Sequence, residues 1–175
     1  MKNKSNLIEL SKEDLKNKAY ELGYEYELKA HYCPQATLAA ILDTFEIKEP
    51  TLLKSAFGFH GGGGNSGIGP CGALAGSIIA ISYFFGRNQN EFYLTGSNSR
   101  ASRLVNKLTT EFAEKYNGLT CRDCQKKTCG RFFDLNDDID KEEFNKVNGH
   151  EKCSDLVGKT AAMVTEIIWD EIKNN

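Results

Sequence analysis

The sequence predicts an all-α fold in a single domain, and three observations predict it. Apolar residues recur at three- and four-residue spacing along most of the chain. No stretch alternates apolar and polar residues with the period of two that a half-buried strand requires. The length of 175 residues, with 40% hydrophobic and 26% charged, suits one ordinary globular core. The expectation is a bundle of five to seven helices spanning 1–175. Its centre is a buried small-residue helix preceded by a Gly-rich loop, and 121–149 form a cysteine knuckle and acidic loop insertion.

Ser11-Lys12-Glu13-Asp14 opens the first helix with a capping-box pattern. Leu15, Ala19, Leu22 and Tyr26 give it an apolar face, and it ends before His31-Tyr32. Cys33 is expected at the next N-cap with Pro34 in the first turn, where a missing N–H costs nothing. Ala36, Ala39, Leu42 and Phe45 continue that helix until Glu49-Pro50 interrupts it. Thr51 to Phe57 reads as a short third helix, and Gly61 to Gly69 as the glycine loop. The fourth helix runs from Pro70 to Phe85. Gly72, Ala73, Ala75, Gly76, Ser77 and Ala80 let another backbone approach it closely, and Ile78, Ile79, Ile81, Phe84 and Phe85 make it apolar nearly all round. Gly86 to Gly96 is a polar loop onto which Phe92-Tyr93-Leu94 pack back. Ser97 to Tyr116 is amphipathic, with Ala101, Leu104, Val105, Leu108, Phe112 and Tyr116 inward, and Asn117-Gly118 stops it. Phe132 to Gly149 is acidic and irregular. Cys153 precedes the last helix, whose inner face is Leu156, Thr160, Met163, Val164, Ile167 and Ile168.

Composition excludes several function classes. Lys+Arg 22 against Asp+Glu 24 gives a net charge of -2, with no excess of basic residues to attract nucleic acid. The N-terminal stretch from Met1 has no apolar signal core, and the uncharged run from Cys71 to Phe85 is too short and glycine-broken for a membrane span. A cytoplasmic protein is expected. In such a compartment six cysteines point to metal or redox chemistry more than to structural disulfides.

The cysteines carry the chemistry. Cys33, Cys71 and Cys153 each fall where a predicted helix begins, and the positive end of a helix dipole favours a thiolate. Cys121-Arg122-Asp123-Cys124 is a CxxC followed by Cys129, a spacing that lets two sulfurs face one point. It lies beside no βαβ pattern, as thioredoxin-like chemistry needs, and Gln125 stands where haem attachment needs a histidine. The glycine loop lacks the lysine of a phosphate-binding loop and the preceding strand of a dinucleotide fingerprint. It is better suited to bringing bare N–H groups, with Gly69 and Gly72 as candidates, close to a sulfur centre. His31, His60 and His150 read as loop or capping histidines. Asp134-x-Asn136-x-Asp138-x-Asp140 lacks the glycine and closing glutamate of a calcium loop and reads as a solvated acidic turn.

Cys33, then Cys71-Gly72-Ala73-Leu74-Ala75-Gly76, then Cys121, then Cys153, resembles the C_GCAxxG_C_C family of redox-active proteins, defined by four cysteines and a CGAxxG motif. The resemblance runs from about Lys29 to Ile172 and includes Gly118-Leu119-Thr120-Cys121-Arg122-Asp123; Cys124 and Cys129 are extra to the four. It implies redox character. Through the family's likeness to the non-haem domain of split-Soret cytochromes, it also implies an iron–sulfur centre. The expected function is electron transfer or redox sensing rather than enzymatic turnover. Metal ligands would come from Cys33, Cys71, Cys121 and Cys153, with Cys124 and Cys129 as further candidates. Two alternatives stay open: a cofactor-free thiol–disulfide protein using Cys71 and a resolving cysteine, and a zinc-stabilised binding module on the CxxC segment. The partner is an unidentified electron-transfer protein, and a homodimer is compatible with the sequence.

Overall fold

The computed structural model describes residues 11–94, 96 and 98–174. The fold is all-α. Among the described residues there are nine α-helices: α1 (Lys12–Ala30), α2 (Cys33–Thr44), α3 (Pro50–Ser55), α4 (Gly72–Phe85), α5 (Gln89–Phe92), α6 (Ser99–Tyr116), α7 (Cys121–Cys129), α8 (Asp138–Lys146) and α9 (Gly149–Lys173). Phe57–Phe59 adds one turn of 3₁₀ helix, and the only β-type pairing among the described residues is an isolated antiparallel bridge between Pro70 and Thr120. Ser97, the expected first residue of the amphipathic helix, lies outside the described residues. No described helix is long and apolar enough to cross a membrane.

The helix count exceeds the expected five to seven because local capping turns expected loops into helices. Thr120 and Asp123 form a reciprocal capping box: the Asp123 N–H donates to Thr120 Oγ1 at 3.1 Å, and the Thr120 N–H donates to Asp123 Oδ2 at 3.1 Å. Gly130 closes the segment at φ 89°, so the expected knuckle is the regular helix α7. Asp137 caps α8 by accepting the Asp140 N–H at 2.9 Å, which orders the middle of the expected acidic loop. Asn88 and Glu91 cap the single turn of α5. Phe92, Tyr93 and Leu94 do not pack back; they are 70%, 81% and 63% exposed.

The expected centre also shifts. α4 is fully buried only over its first half, Gly72 to Ser77, and afterwards chiefly at Ala80 and Ile81. The longest helix, α9, is the spine: it packs against α1, α2, α4, α6, α7 and α8. Its closest partner is α1, and small residues set that distance. A Cβ on Gly158 would lie 2.7 Å from the Tyr20 backbone oxygen, and one on Gly23 would lie 3.1 Å from Gly158 Cα. Alanine gains up to about 1 kcal/mol of helix propensity over glycine. A clash with backbone outweighs this, since overpacking a tight core costs about 1–3 kcal/mol. Gly158→Ala is therefore expected to lower the urea midpoint with an unchanged m-value. An unaltered midpoint would mean that α1 and α9 are not so closely seated.

Candidate cysteine site

The site is organised around the start of α4. Cys71 is the N-cap of that helix, and its own N–H donates to the Leu119 carbonyl at 2.7 Å. That bond, with the neighbouring Pro70–Thr120 bridge, leaves Pro70 outside the helix in which it was expected. The nearby backbone amides of Ala73 and Leu74, at the N-terminus of α4, help to lower the Cys71 pKa.

The two glycines of the CGAxxG segment bring α2 onto α4. A Cβ on Gly72 would overlap the Cys33 sulfur and lie 2.6 Å from Pro34 Cδ. One on Gly76, a helical turn later, would overlap the Pro34 carbonyl oxygen. Gly72 thus serves by leaving room for Cys33 beside Cys71. Cys33 itself is the first residue of α2 rather than its N-cap. Tyr32 takes the cap position, and its carbonyl accepts the Ala36 N–H at 3.0 Å.

The glycine loop is folded on itself and then clamped by α7. Gly67 N–H donates to Gly61 O and Gly69 N–H to Gly62 O, both at 2.9 Å. The N-terminal amides of α7 take two further loop carbonyls, Cys121 N–H to Gly69 O at 3.1 Å and Arg122 N–H to Gly67 O at 3.0 Å. Gly69 therefore spends its N–H inside the loop. Of the loop amides, that of Gly61 favours the Cys33 thiolate. Gly62 must be glycine at φ 79°, because a Cβ there would lie 3.0 Å from Cys121 Cβ.

Four helices thus deliver cysteines to one electrostatically coupled group. Cys71 and Cys124 are buried; Cys33, Cys121, Cys129 and Cys153 are half-buried; all six are free thiols. Cys71 is held below the ordinary thiol pKa, first by a hydrogen bond from Cys124, and then by the Ala73 and Leu74 amides acting against burial. Cys124 is raised in turn, because its proton is held by the Cys71 sulfur and because it is buried. Burial pushes Cys121 up to about 12, helped by the Cys71 charge. Burial also raises Cys33 and Cys153 well above the usual range, with contributions from Glu27, Cys71 and Cys121. Cys153 stands in the second turn of α9 rather than before it, because Asn148 turns the chain at φ 54° and the helix starts at Gly149. Cys129 lies at the end of α7, with its sulfur 3.4 Å from Thr128 Oγ1.

Two polar residues join this group without having been singled out in the sequence. Gln125 is buried; its Nε2 lies 3.7 Å from the Cys121 sulfur, and its Oε1 accepts the Phe133 N–H at 2.7 Å. Its place four residues after Cys121 on a helix is the signal that could have found it. Glu27 is 4% exposed, and its Oε2 has no hydrogen-bond partner. Burial, then the Cys71 charge, pushes it up to about 8. It continues the four-residue stripe Leu15, Ala19, Gly23 along the buried side of α1.

The histidines lie elsewhere. The rings of His31 and His150 are 3.9 Å apart, and burial followed by the His31 charge lowers the His150 pKa. His60 sits against Tyr32 and Phe57, with Nδ1 2.8 Å from the Phe57 oxygen. The acidic turn is held by its own contacts: Asp140 binds Arg131 and the Asp134 N–H, each at 2.8 Å. Among the described residues no three His, Cys, Asp or Glu side chains are grouped to hold a single metal ion.

Chemically the arrangement offers soft thiol ligands, a thiolate-favouring helix terminus and inward amides. These suit a polynuclear sulfur centre, in which separate irons take separate thiolates and the ligands need not meet at one ion. They also suit exchange between Cys71 and Cys124. The family model described as Putative redox-active protein (C_GCAxxG_C_C) matches residues 31–167. No curated protein and no solved structure gives a match to the chain.

Proposed function

The chain belongs to the C_GCAxxG_C_C family of redox-active proteins, and from that premise we propose that it transfers or senses electrons through an iron–sulfur cluster held by Cys33, Cys71, Cys121 and Cys153. The observation that supports this reading is that Gly72 leaves room for Cys33 beside Cys71 and the glycine loop holds Cys121 close by, with Cys153 on α9 raised by burial and by the Cys121 and Cys71 charges. A single activated thiol would need no such company. Bound there, the cluster would supply reversible one-electron storage. The chain's own part is to hold several thiolates in a buried place. The Ala73, Leu74 and Gly61 amides favour two of the thiolates, and the Gln125 amide lies against a third sulfur. Cys124 would act from behind as a hydrogen-bond donor to Cys71.

Protein purified without oxygen is expected to be brown, with iron and acid-labile sulfide in comparable amounts. Colourless anaerobic protein without sulfide would overturn the cluster, and zinc in its place would favour a structural metal. A second reading rests on the Cys71–Cys124 hydrogen bond. Loss of two electrons and two protons from these thiols to a disulfide partner would join them. In that case mild oxidation of colourless protein removes two thiols per chain, and Cys124→Ala prevents it.

A further inference from the structure

A primary amide carries an acceptor oxygen and a donor nitrogen, and burying either end without a partner is costly. Gln125 is 2% exposed, and its two ends meet different partners. Oε1 accepts the Phe133 N–H at 2.7 Å, and Nε2 lies 3.7 Å from the Cys121 sulfur. A backbone N–H can only donate, so the amide cannot be turned round: its oxygen belongs to Phe133 and its NH₂ group to the sulfur. Both mountings are firm. Gln125 stands one helical turn after Cys121 on α7, which the Thr120–Asp123 box starts and Gly130 stops. Phe133 is 2% exposed, and its ring packs on that of Phe144 in α8 with 5.5 Å between centroids. The segment that follows α7 thus supplies the N–H that aims the amide.

The sulfur is an unusual acceptor for a buried donor. A neutral thiol accepts weakly, whereas a hydrogen bond to an ionised partner is roughly twice as strong as a neutral one. A donor locked on Cys121 is best satisfied when that sulfur is a metal-bound thiolate. Such a donor also favours an added electron, since hydrogen bonds to the sulfurs are among the levers that set a cluster's potential. We propose that Gln125 is a positioning residue for the cluster: locked by the Phe133 N–H, it donates to the Cys121 sulfur, holds it as a ligand and raises the reduction potential of the centre. The assignment rests on the cluster reading above and adds to it a residue outside the cysteines.

The test uses the whole chain, reconstituted anaerobically with iron and sulfide. Gln125→Met fills the space with neither donor nor acceptor. It is expected to shift the reduction potential to more negative values and to lose iron to a chelator about 10–100-fold faster, the usual worth of a contact behind a metal ligand. Gln125→Glu keeps an oxygen for the Phe133 N–H. When ionised it has no donor for the sulfur, and when protonated it regains one. Its potential should therefore fall below that of the unmodified protein as pH rises and return toward it as pH falls. An amide with a purely structural role would leave both potentials at the unmodified value at every pH, and that result overturns the proposal. A third measurement needs no variant at this position. With Gln35→Ala and Gln89→Ala removing the other two glutamines, side-chain-labelled glutamine should give an electron spin-echo nitrogen coupling in the paramagnetic state of the cluster. Its absence overturns the proposal even where a Gln125 variant fails to fold. In these cases the four-cysteine cluster survives. Absence of iron and sulfide from the unmodified chain instead brings down the cluster reading, and the assignment with it.

Discussion

Cys71→Ala is expected to abolish the colour of anaerobically purified protein and to reduce its bound iron at least about a hundredfold, the upper end of second-shell effects, because a ligand and the focus of the site go together. Cys71 is the N-cap of α4, it collects the Ala73 and Leu74 amides, and it receives the Cys124 hydrogen bond. Cys33, Cys121, Cys124 and Cys153 all respond to its charge. Cys129→Ala should keep both colour and iron, since Cys129 lies at the far end of α7 against Thr128. Cys124→Ala should fall between, losing only the donor to Cys71. The measurement is iron and sulfide per chain alongside the visible spectrum, with helicity checked by circular dichroism. Full iron in Cys71→Ala would place the centre elsewhere or deny it.

The second large effect falls on Gly76. Alanine there would set a Cβ against the Pro34 carbonyl oxygen, with Pro34 C and Cα each 3.2 Å away. All three atoms belong to backbone, so no side chain can swing aside. The helix-propensity gain of up to about 1 kcal/mol is outweighed by an overpacking cost of about 1–3 kcal/mol or more. Relief can come only by separating α2 from α4, which draws Cys33 away from Cys71. Gly76→Ala should therefore lower the urea midpoint of cofactor-free protein and also weaken iron binding in the loaded one. Gly58→Ala is the control, because nothing lies within 4 Å of a Cβ there, and it should change stability by less than about 0.5 kcal/mol. Equal midpoints for the two variants would refute the close approach.

Most of the fold was legible in the sequence because it is written in short-range terms. The Ser11 capping box, the stop before His31 and the Asn117 terminus of α6 need only neighbouring residues, and each stands where its pattern puts it. The Thr120–Asp123 box is equally local, yet the cysteine spacing in the same segment fits a knuckle as well as the helix α7 that forms. The central position of α9 was not legible, since a helix's neighbours are not encoded in its own periodicity. Within the candidate site, the four family cysteines were named through the resemblance carried by the CGAxxG segment and its flanking cysteines. What joins them could not be named that way. The use of the Gly69 amide inside the loop, the amide from Gly61, and the entry of Glu27 from α1 all depend on contacts between segments far apart in the chain.

The distribution of the cysteines over α2, α4, α7 and α9 also sets an order of events during synthesis and folding. Cys33 and Cys71 can meet as soon as the α2–α4 hairpin-like pair forms, but Cys153 reaches them only after the C-terminal helix has docked across the whole bundle. Contacts of such long sequence separation are the slow ones, because chain-closure entropy is lost before the contact rewards it. A nascent chain emerging from the ribosome therefore carries two thiols in place and an open flank, and Cys153 arrives with α9. On the cluster reading, metal loading would follow the docking of α9, and a chain truncated before α9 would display unsheltered thiols.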